Sequence, residues 1–244
     1  MQQGGSSLLY SATSKALPYG HYVLWETQAP PSYQLSTTPT YVDITDDGKI
    51  MDVAVTDVPM DYGLTISKTG SYEVQAGDSF YYSITSVANT SNVPLTNFNW
   101  IDTFPTEAVR LQKAETGSYS AQVNLTVSFK TNYSDEWRDW GSGIDTSQSA
   151  ELDFGNVLGA DEYVTELRFD FGTVPAGFHS VEETRLYVTA LCDLDNGQSF
   201  TNNVRLSGQA QDGTLLFANA AWSSTIWRQL NWRGVGRLPQ TGQN

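Results

Sequence analysis

Thr184-Arg185-Leu186-Tyr187-Val188-Thr189-Ala190-Leu191-Cys192, then Asp193-Leu194-Asp195-Asn196-Gly197, then Ser199-Phe200-Thr201-Asn202-Asn203-Val204-Arg205-Leu206-Ser207 is the stretch that decides the fold. Apolar residues alternate with polar ones on both sides of a loop rich in Asp, Asn and Gly. Side chains two apart share one face of a strand, so the stretch reads as strand, hairpin loop, strand. Gln211-Asp212-Gly213 reads as another turn, with a further strand starting at Thr214. Upstream, Val123, Leu125, Val127 and Phe129 alternate in the same way, and Asp46-Asp47-Gly48 marks a turn near the start. No segment repeats apolar residues at helical spacing for three turns. Many short strands with regular turns predict an all-β chain of antiparallel, immunoglobulin-like β-sandwiches.

Composition agrees. The 244 residues are 39% apolar and only 16% charged, and Thr, Ser, Asn, Tyr, Trp and Val recur, as strands favour. The net charge is −14, with no basic cluster. Nucleic acid is therefore excluded as a partner, and an anionic membrane surface is disfavoured. No stretch has the length and apolarity of a membrane span, and no apolar signal region opens the chain. An extracellular protein of this sequence is expected to be an excised fragment lacking both targeting ends. Cys192, the single cysteine, cannot form an internal disulfide. It is in phase with Leu186, Val188 and Ala190, which predicts a small buried apolar residue. A catalytic thiol is not expected, because His21 and His179 are the only histidines and neither has a suitable setting. Nothing calls for a metal or a cofactor.

A boundary is expected near Pro59-Met60-Asp61-Tyr62-Gly63. The 60 residues before it are few for a stable domain. A longer β-region follows to about Leu230, and a polar tail from Asn231 to Asn244 ends the chain.

Three motifs carry resemblances. Leu238-Pro239-Gln240-Thr241-Gly242 matches the LPxTG sortase signal of Gram-positive surface proteins. The resemblance implies cleavage after Thr241 and transfer to cell-wall peptidoglycan or a pilin amine, with sortase and the wall as partners and the cell wall as location. Leu17-Pro18-Tyr19-Gly20-His21-Tyr22-Val23-Leu24-Trp25-Glu26-Thr27-Gln28-Ala29-Pro30-Pro31-Ser32-Tyr33 resembles the signature of collagen-adhesin B-type (prealbumin-like) domains, with Ser32 where the family has Gly. The resemblance implies that Glu26 is the family's isopeptide-catalysing glutamate and Asp57 its last-strand acceptor. No lysine precedes the signature in a first-strand setting. Residues 1–60 are thus expected to be the C-terminal half of such a domain, with Glu26 idle.

Residues 61–230 carry Leu64-Thr65-Ile66-Ser67-Lys68-Thr69, Gly77-Asp78, Trp100-Ile101-Asp102-Thr103-Phe104-Pro105 and Phe200-Thr201-Asn202-Asn203-Val204. They resemble the isopeptide-forming β-sandwich domains of pilins and repeat proteins, loosely so around 136–159. Alternation adds an independent observation. Lys68 is in phase with Leu64 and Ile66, Asp102 with Phe98, Trp100 and Phe104, and Asn202 with Phe200, Val204 and Leu206. All three point where apolar residues point. Lys130 is out of phase with Val127 and Phe129 and is expected to face solvent.

Burial favours a neutral, nucleophilic lysine and a neutral aspartic acid. Such an acid can polarise the Asn202 amide while Lys68 attacks it, leaving a neutral Lys68–Asn202 crosslink and ammonia. The two residues are 134 apart in sequence. Closing a loop that long stabilises by roughly 4–5 kcal/mol on chain-entropy grounds. If first and last strands were joined, tension on the termini would load the covalent tie. The plainer alternative is a Lys68–Asp102 ion pair with Asn202 capping a strand, and Asn203 is the alternative acceptor.

Trp137 and Trp140 flank Arg138 and Asp139, either as an exposed platform for sugars or proteins or as a cover over the core from a long loop. A structural and adhesive surface protein, with a host protein or glycan as ligand, is the first functional expectation. The alternative is a carbohydrate-binding module of a wall-anchored enzyme. A hydrolase is not expected, since no catalytic triad or metal cluster is present. None of the five lysines lies in a Tyr-Pro-Lys setting, which favours an adhesin, or a pilus base or tip, over a backbone pilin.

Overall fold

The structure is a computed structural model, and it describes residues 12–46, 48 and 50–228. The chain divides into two compact units, Met1–Met60 and Asp61–Asn244. The described residues are all-β, with no helix.

The first unit has four short strands: β1 (Gly20–Leu24), β2 (Tyr33–Gln34), β3 (Thr40–Ile44) and β4 (Val58–Pro59). β1 pairs antiparallel with β3, and β2 with β4. None of its described residues is buried. Trp25 and Tyr41 are 61% and 74% exposed, so the described apolar side chains of this unit do not enclose a core of their own.

The second unit is a sandwich. Its strands are β5 (Leu64–Thr69), β6 (Glu73–Val74), β7 (Ser79–Asn89), β8 (Leu95–Thr103), β9 (Val109–Glu115), β10 (Ser118–Tyr119) and β11 (Asn124–Thr131). They continue with β12 (Ser134–Asp145), β13 (Glu151–Asp153), β14 (Val164–Val174), β15 (Ser180–Glu182), β16 (Thr184–Ala190), β17 (Ser199–Gln209) and β18 (Leu215–Ile226). One sheet has the order β12-β11-β14-β8-β17-β18-β6 and the other β13-β9-β16-β7-β5. The ladders are antiparallel except the short β18–β6 pair.

Alternation creates the core. β17 reads exposed and buried in turn, with Phe200, Asn202, Val204 and Leu206 facing inward, and β16 does the same with Leu186, Val188 and Ala190. Gly197 and Gly213 take positive φ in the loops that lead into β17 and β18, a conformation that costs glycine least. Aromatic side chains line the core. Trp100 stacks on Phe169 at 4.1 Å, and Tyr119 on Phe178 at 5.3 Å.

The structure corrects two expectations. Cys192 is exposed, because β16 ends at Ala190 and the alternation that implied burial ends with it. The stretch around 136–159 is not a long loop: Trp137 and Trp140 lie on β12, the edge strand beside β11. The Lys130 ammonium and the Arg168 guanidinium lie 4.8 and 4.4 Å from the Trp137 ring, so the ring packs against cations of the neighbouring strands. Trp140 donates to the Asp153 carbonyl. Lys130 is partly exposed and pairs with Glu166 at 2.9 Å.

Candidate functional site

Lys68, Asp102 and Asn202 sit between the two sheets. β5 forms one edge of the five-stranded sheet and points Lys68 inward behind Ile66. Across the core, β8 and β17 are neighbours in the seven-stranded sheet. Asp102 is directly opposite Val204 in that ladder. Asn202, two residues from Val204 on the same face, is therefore the diagonal neighbour of Asp102. The Lys68 ammonium donates to Asp102 Oδ2, and both side chains are fully buried. Asn202 is fully buried as well.

The polar atoms here are under-satisfied. Asp102 Oδ1, Asn202 Oδ1 and Asn202 Nδ2 have no hydrogen-bond partner. Buried polar atoms are nearly always paired, so three orphans at one place call for a physical reason. The Asn202 carboxamide lies near enough to act weakly on the Asp102 carboxyl, but outside hydrogen-bonding geometry. It is a neighbour and not yet a partner.

Burial sets the electrostatics. It pushes the Lys68 amine below its ordinary value, against the opposing pull of Asp102. It pushes the Asp102 carboxyl above its own, against Lys68 and, least, Asn202. Both shifts favour the neutral forms. Those are the forms in which an amine is a nucleophile and a carboxylic acid can donate a proton.

The surroundings are aromatic and buried. The Tyr82 ring lies 5.0 Å from Lys68 Nζ, its hydroxyl is buried without a partner, and burial pushes its pKa up. Trp100 and Phe104 flank Asp102 on its face, and Phe200 and Val204 flank Asn202. At the end of β5, Gly70 passes close to Tyr82 and Trp222: a Cβ there would meet Tyr82 Cδ1 at 2.9 Å.

Alternation thus brings the three residues together. Asn203 is exposed and lines a shallow outer cleft of about 520 Å3 with Thr103, Glu166 and Arg205, on the far face of the sheet from Lys68. β17 is also not the last strand, since β18 follows it and lies outside any loop closed between Lys68 and Asn202. Sequence reasoning did not find Tyr82. Its signal was inward phase with Ile84, one strand away from Lys68.

In the first unit, Glu26 follows β1, is half-buried and accepts a hydrogen bond from the Ser36 amide at 2.5 Å. Asp57 precedes β4 and is half-buried, whereas Lys15 is exposed. Leu238, Pro239, Gln240, Thr241 and Gly242 lie outside the described residues.

Residues 11–59 match the family described as SpaA, a prealbumin-like fold domain. No curated protein matches the chain. Among solved structures, BcpA, the major pilin subunit of Bacillus cereus, is 13% identical with a TM-score of 0.39, over 86% of this chain and 55% of that one. The chain therefore spans about half the length of that pilin. AvmM, which catalyses macrocyclization in alchivemycin A biosynthesis, is 10% identical with a TM-score of 0.29, over 68% of this chain and 89% of that one. The collagen-binding domain of a Staphylococcus aureus adhesin is 11% identical with a TM-score of 0.24, over 65% of this chain and 97% of that one. Likenesses of this degree assign no function, and the prealbumin-like match concerns residues 11–59 alone.

Proposed function

We propose that this chain is a structural and adhesive surface protein of Gram-positive bacteria. In this reading a sortase anchors it to peptidoglycan through Leu238–Gly242, and an autocatalytic isopeptide bond between Lys68 and Asn202 stabilises it. Residues 1–60 are the C-terminal half of a prealbumin-like domain, 61–230 the crosslinking sandwich and 231–244 the anchoring tail. The extracellular cell wall is its location. Its chemistry is performed on itself.

The observation that carries the reading is the fully buried Lys68–Asp102 contact beside an Asn202 carboxamide with no hydrogen-bond partner. A stable ion pair would not need the third residue there. A reacting set would: Lys68 Nζ attacks Asn202 Cγ, and Asp102 donates its proton towards Asn202 Oδ1. The Cγ–Nδ2 bond then breaks, and Nδ2 leaves as ammonia with a proton taken from the lysine by way of Asp102. One amide replaces another, so atoms balance and no co-reactant is needed. The product removes the lysine charge from a site where solvation is lost.

Intact-mass measurement of the purified chain tests this directly. The expected mass is one ammonia below that of the sequence, and Lys68→Ala restores the full value. Peptide mapping should recover Lys68 joined to Asn202. A wild-type mass equal to that of the sequence would reduce the set to an ion pair.

A further inference from the structure

Gly77, Gly117 and Gly213 take positive φ, where a side chain is disfavoured, and Gly70 does not. Its backbone does not call for glycine. What excludes a side chain there is space. Gly70 follows Lys68 by two residues and is turned towards the core. A Cβ on it would meet Tyr82 Cδ1 at 2.9 Å, Trp222 Cδ1 at 3.0 Å and Trp222 Nε1 at 3.2 Å. A glycine in such a place marks the close approach of a neighbour to the backbone.

The sheet places that neighbour. Trp222 stands directly opposite Asn202 in the β17–β18 ladder, and residues opposite one another share a face. The preceding residues on that face, Ala218 and Ala220, are small, so the long side chain falls beside Asn202. From there the indole reaches across to the other sheet. It bounds Gly70, and its Nε1 donates to the Ser71 carbonyl at 3.2 Å. Ser224, next on the same face, donates to the same carbonyl at 2.7 Å. The strand pair that carries Asn202 is thus tied to the end of the strand that carries Lys68, two and three residues beyond the lysine. Lys68 Nζ itself is bonded to Asp102, and the Asn202 carboxamide has no partner. Attack requires the amine and the amide carbon to come within about 3–3.5 Å, and a misplacement of about 1 Å can cost about 100-fold in rate.

We propose that Trp222 and Gly70 are positioning residues for the Lys68–Asn202 crosslink: the indole, braced on the glycine backbone, fixes the spacing between β5 and β17 at which the lysine amine can reach the carboxamide. The inference rests on the reaction proposed above and assigns no chemical step to either residue. The glycine lets the strands approach, the ring stops them, and the bond to Ser71 holds β5 in place along its length.

Cell-free synthesis of the full chain, with samples quenched in acid and denaturant, allows the loss of ammonia to be timed by intact mass. Gly70→Ala wedges the strands apart, and Trp222→Phe removes the bond to Ser71 while keeping an aromatic ring. Each is expected to slow the loss about tenfold or more. Neither adds or removes a charge, so the midpoint of the rate's pH dependence should stay where it is. A loosened core that admits water would move that midpoint, by returning the Lys68 amine towards its ordinary value. The same two changes in a Lys68→Ala background, which cannot crosslink, should still melt cooperatively above the temperature of synthesis. Should Gly70→Ala unfold there, Trp222→Phe decides. A wild-type chain that never loses ammonia overturns the reaction itself and this assignment with it. A wild-type chain that reacts while the folded variants keep pace with it overturns the assignment alone, and so does a slowed rate with a displaced midpoint.

Discussion

Asp102 stands opposite Val204 in the β8–β17 ladder, and this single register puts the Asn202 carboxamide on the same buried face, one diagonal step along. A slip of one residue would turn Asn202 to solvent and bring Asn203 inward. The acid, the amide and the lysine that reaches the acid from β5 are therefore held by pairing and not by loops, which is the more rigid way to place side chains.

Asp102→Ala should do two things at once. It removes the proton donor, so the chain is expected to keep its full mass. It also strands the Lys68 amine in the core, and removing one partner of a buried pair costs about 3–5 kcal/mol. Denaturant unfolding beside intact mass checks both. Asn202→Ala should also keep the full mass while leaving the Lys68–Asp102 pair intact. Its loss relative to wild type is that of the closed loop, roughly 4–5 kcal/mol.

Tyr82→Phe is expected to leave stability unchanged or raise it by up to about 1 kcal/mol. The Tyr82 hydroxyl is buried without a hydrogen bond, and the nearby Ser224 hydroxyl donates to the Ser71 carbonyl at 2.7 Å. Deleting an unsatisfied group forfeits no bond. A loss above about 1 kcal/mol in denaturant unfolding would show that this hydroxyl has a partner in solution.

Trp100→Ala tests the core itself. The ring is fully buried and stacked on Phe169 at an interplanar angle of 16°. Truncating a buried aromatic ring typically costs 3–5 kcal/mol, about that much being expected here because paired strands on both sides limit collapse. A calorimetric scan should show the transition shifted down and still cooperative.

His21 should titrate above its ordinary value. Its Nδ1 lies 2.6 Å from Asp43 Oδ1 across the β1–β3 pair, and that hydrogen bond, more than the charge of Asp43, raises the pKa. Because the folded value is the higher one, the pair's contribution is fully present below the unfolded value of about 6.5 and is lost as pH rises through the folded value. NMR titration of the His21 ring should show the raised midpoint, and Asp43→Asn should return it to the ordinary range.

Much of this was legible because alternation over long strands reports which way a side chain points. The inward phases of Lys68, Asp102 and Asn202 were readable from their apolar neighbours alone, and all three are buried. The same rule misplaced Cys192, whose strand stops two residues earlier. It was also uninformative around 136–159, where β12 pairs with β11 through three register shifts that break any period of two. The cation contacts around Trp137 come from β11 and β14, and contacts between strands leave no local trace in sequence. The position of β18 beside β17 followed from a visible turn, but the return of Ser71 and β6 to its other side did not, because those contacts join residues about 150 apart in sequence.

The order of β17 and β18 has a last consequence for how the molecule is taken apart. With Lys68 joined to Asn202, the backbone from 69 to 201 belongs to a closed ring. A protease that cuts once within it opens the ring without releasing a piece, so the nicked chain still migrates as one species under denaturing, reducing conditions. A cut between β17 and β18, at the turn around Asp212, releases everything downstream at once. If the proposed bond is present, a single cut releases a piece only where it falls outside that ring, as it does at the β17–β18 turn.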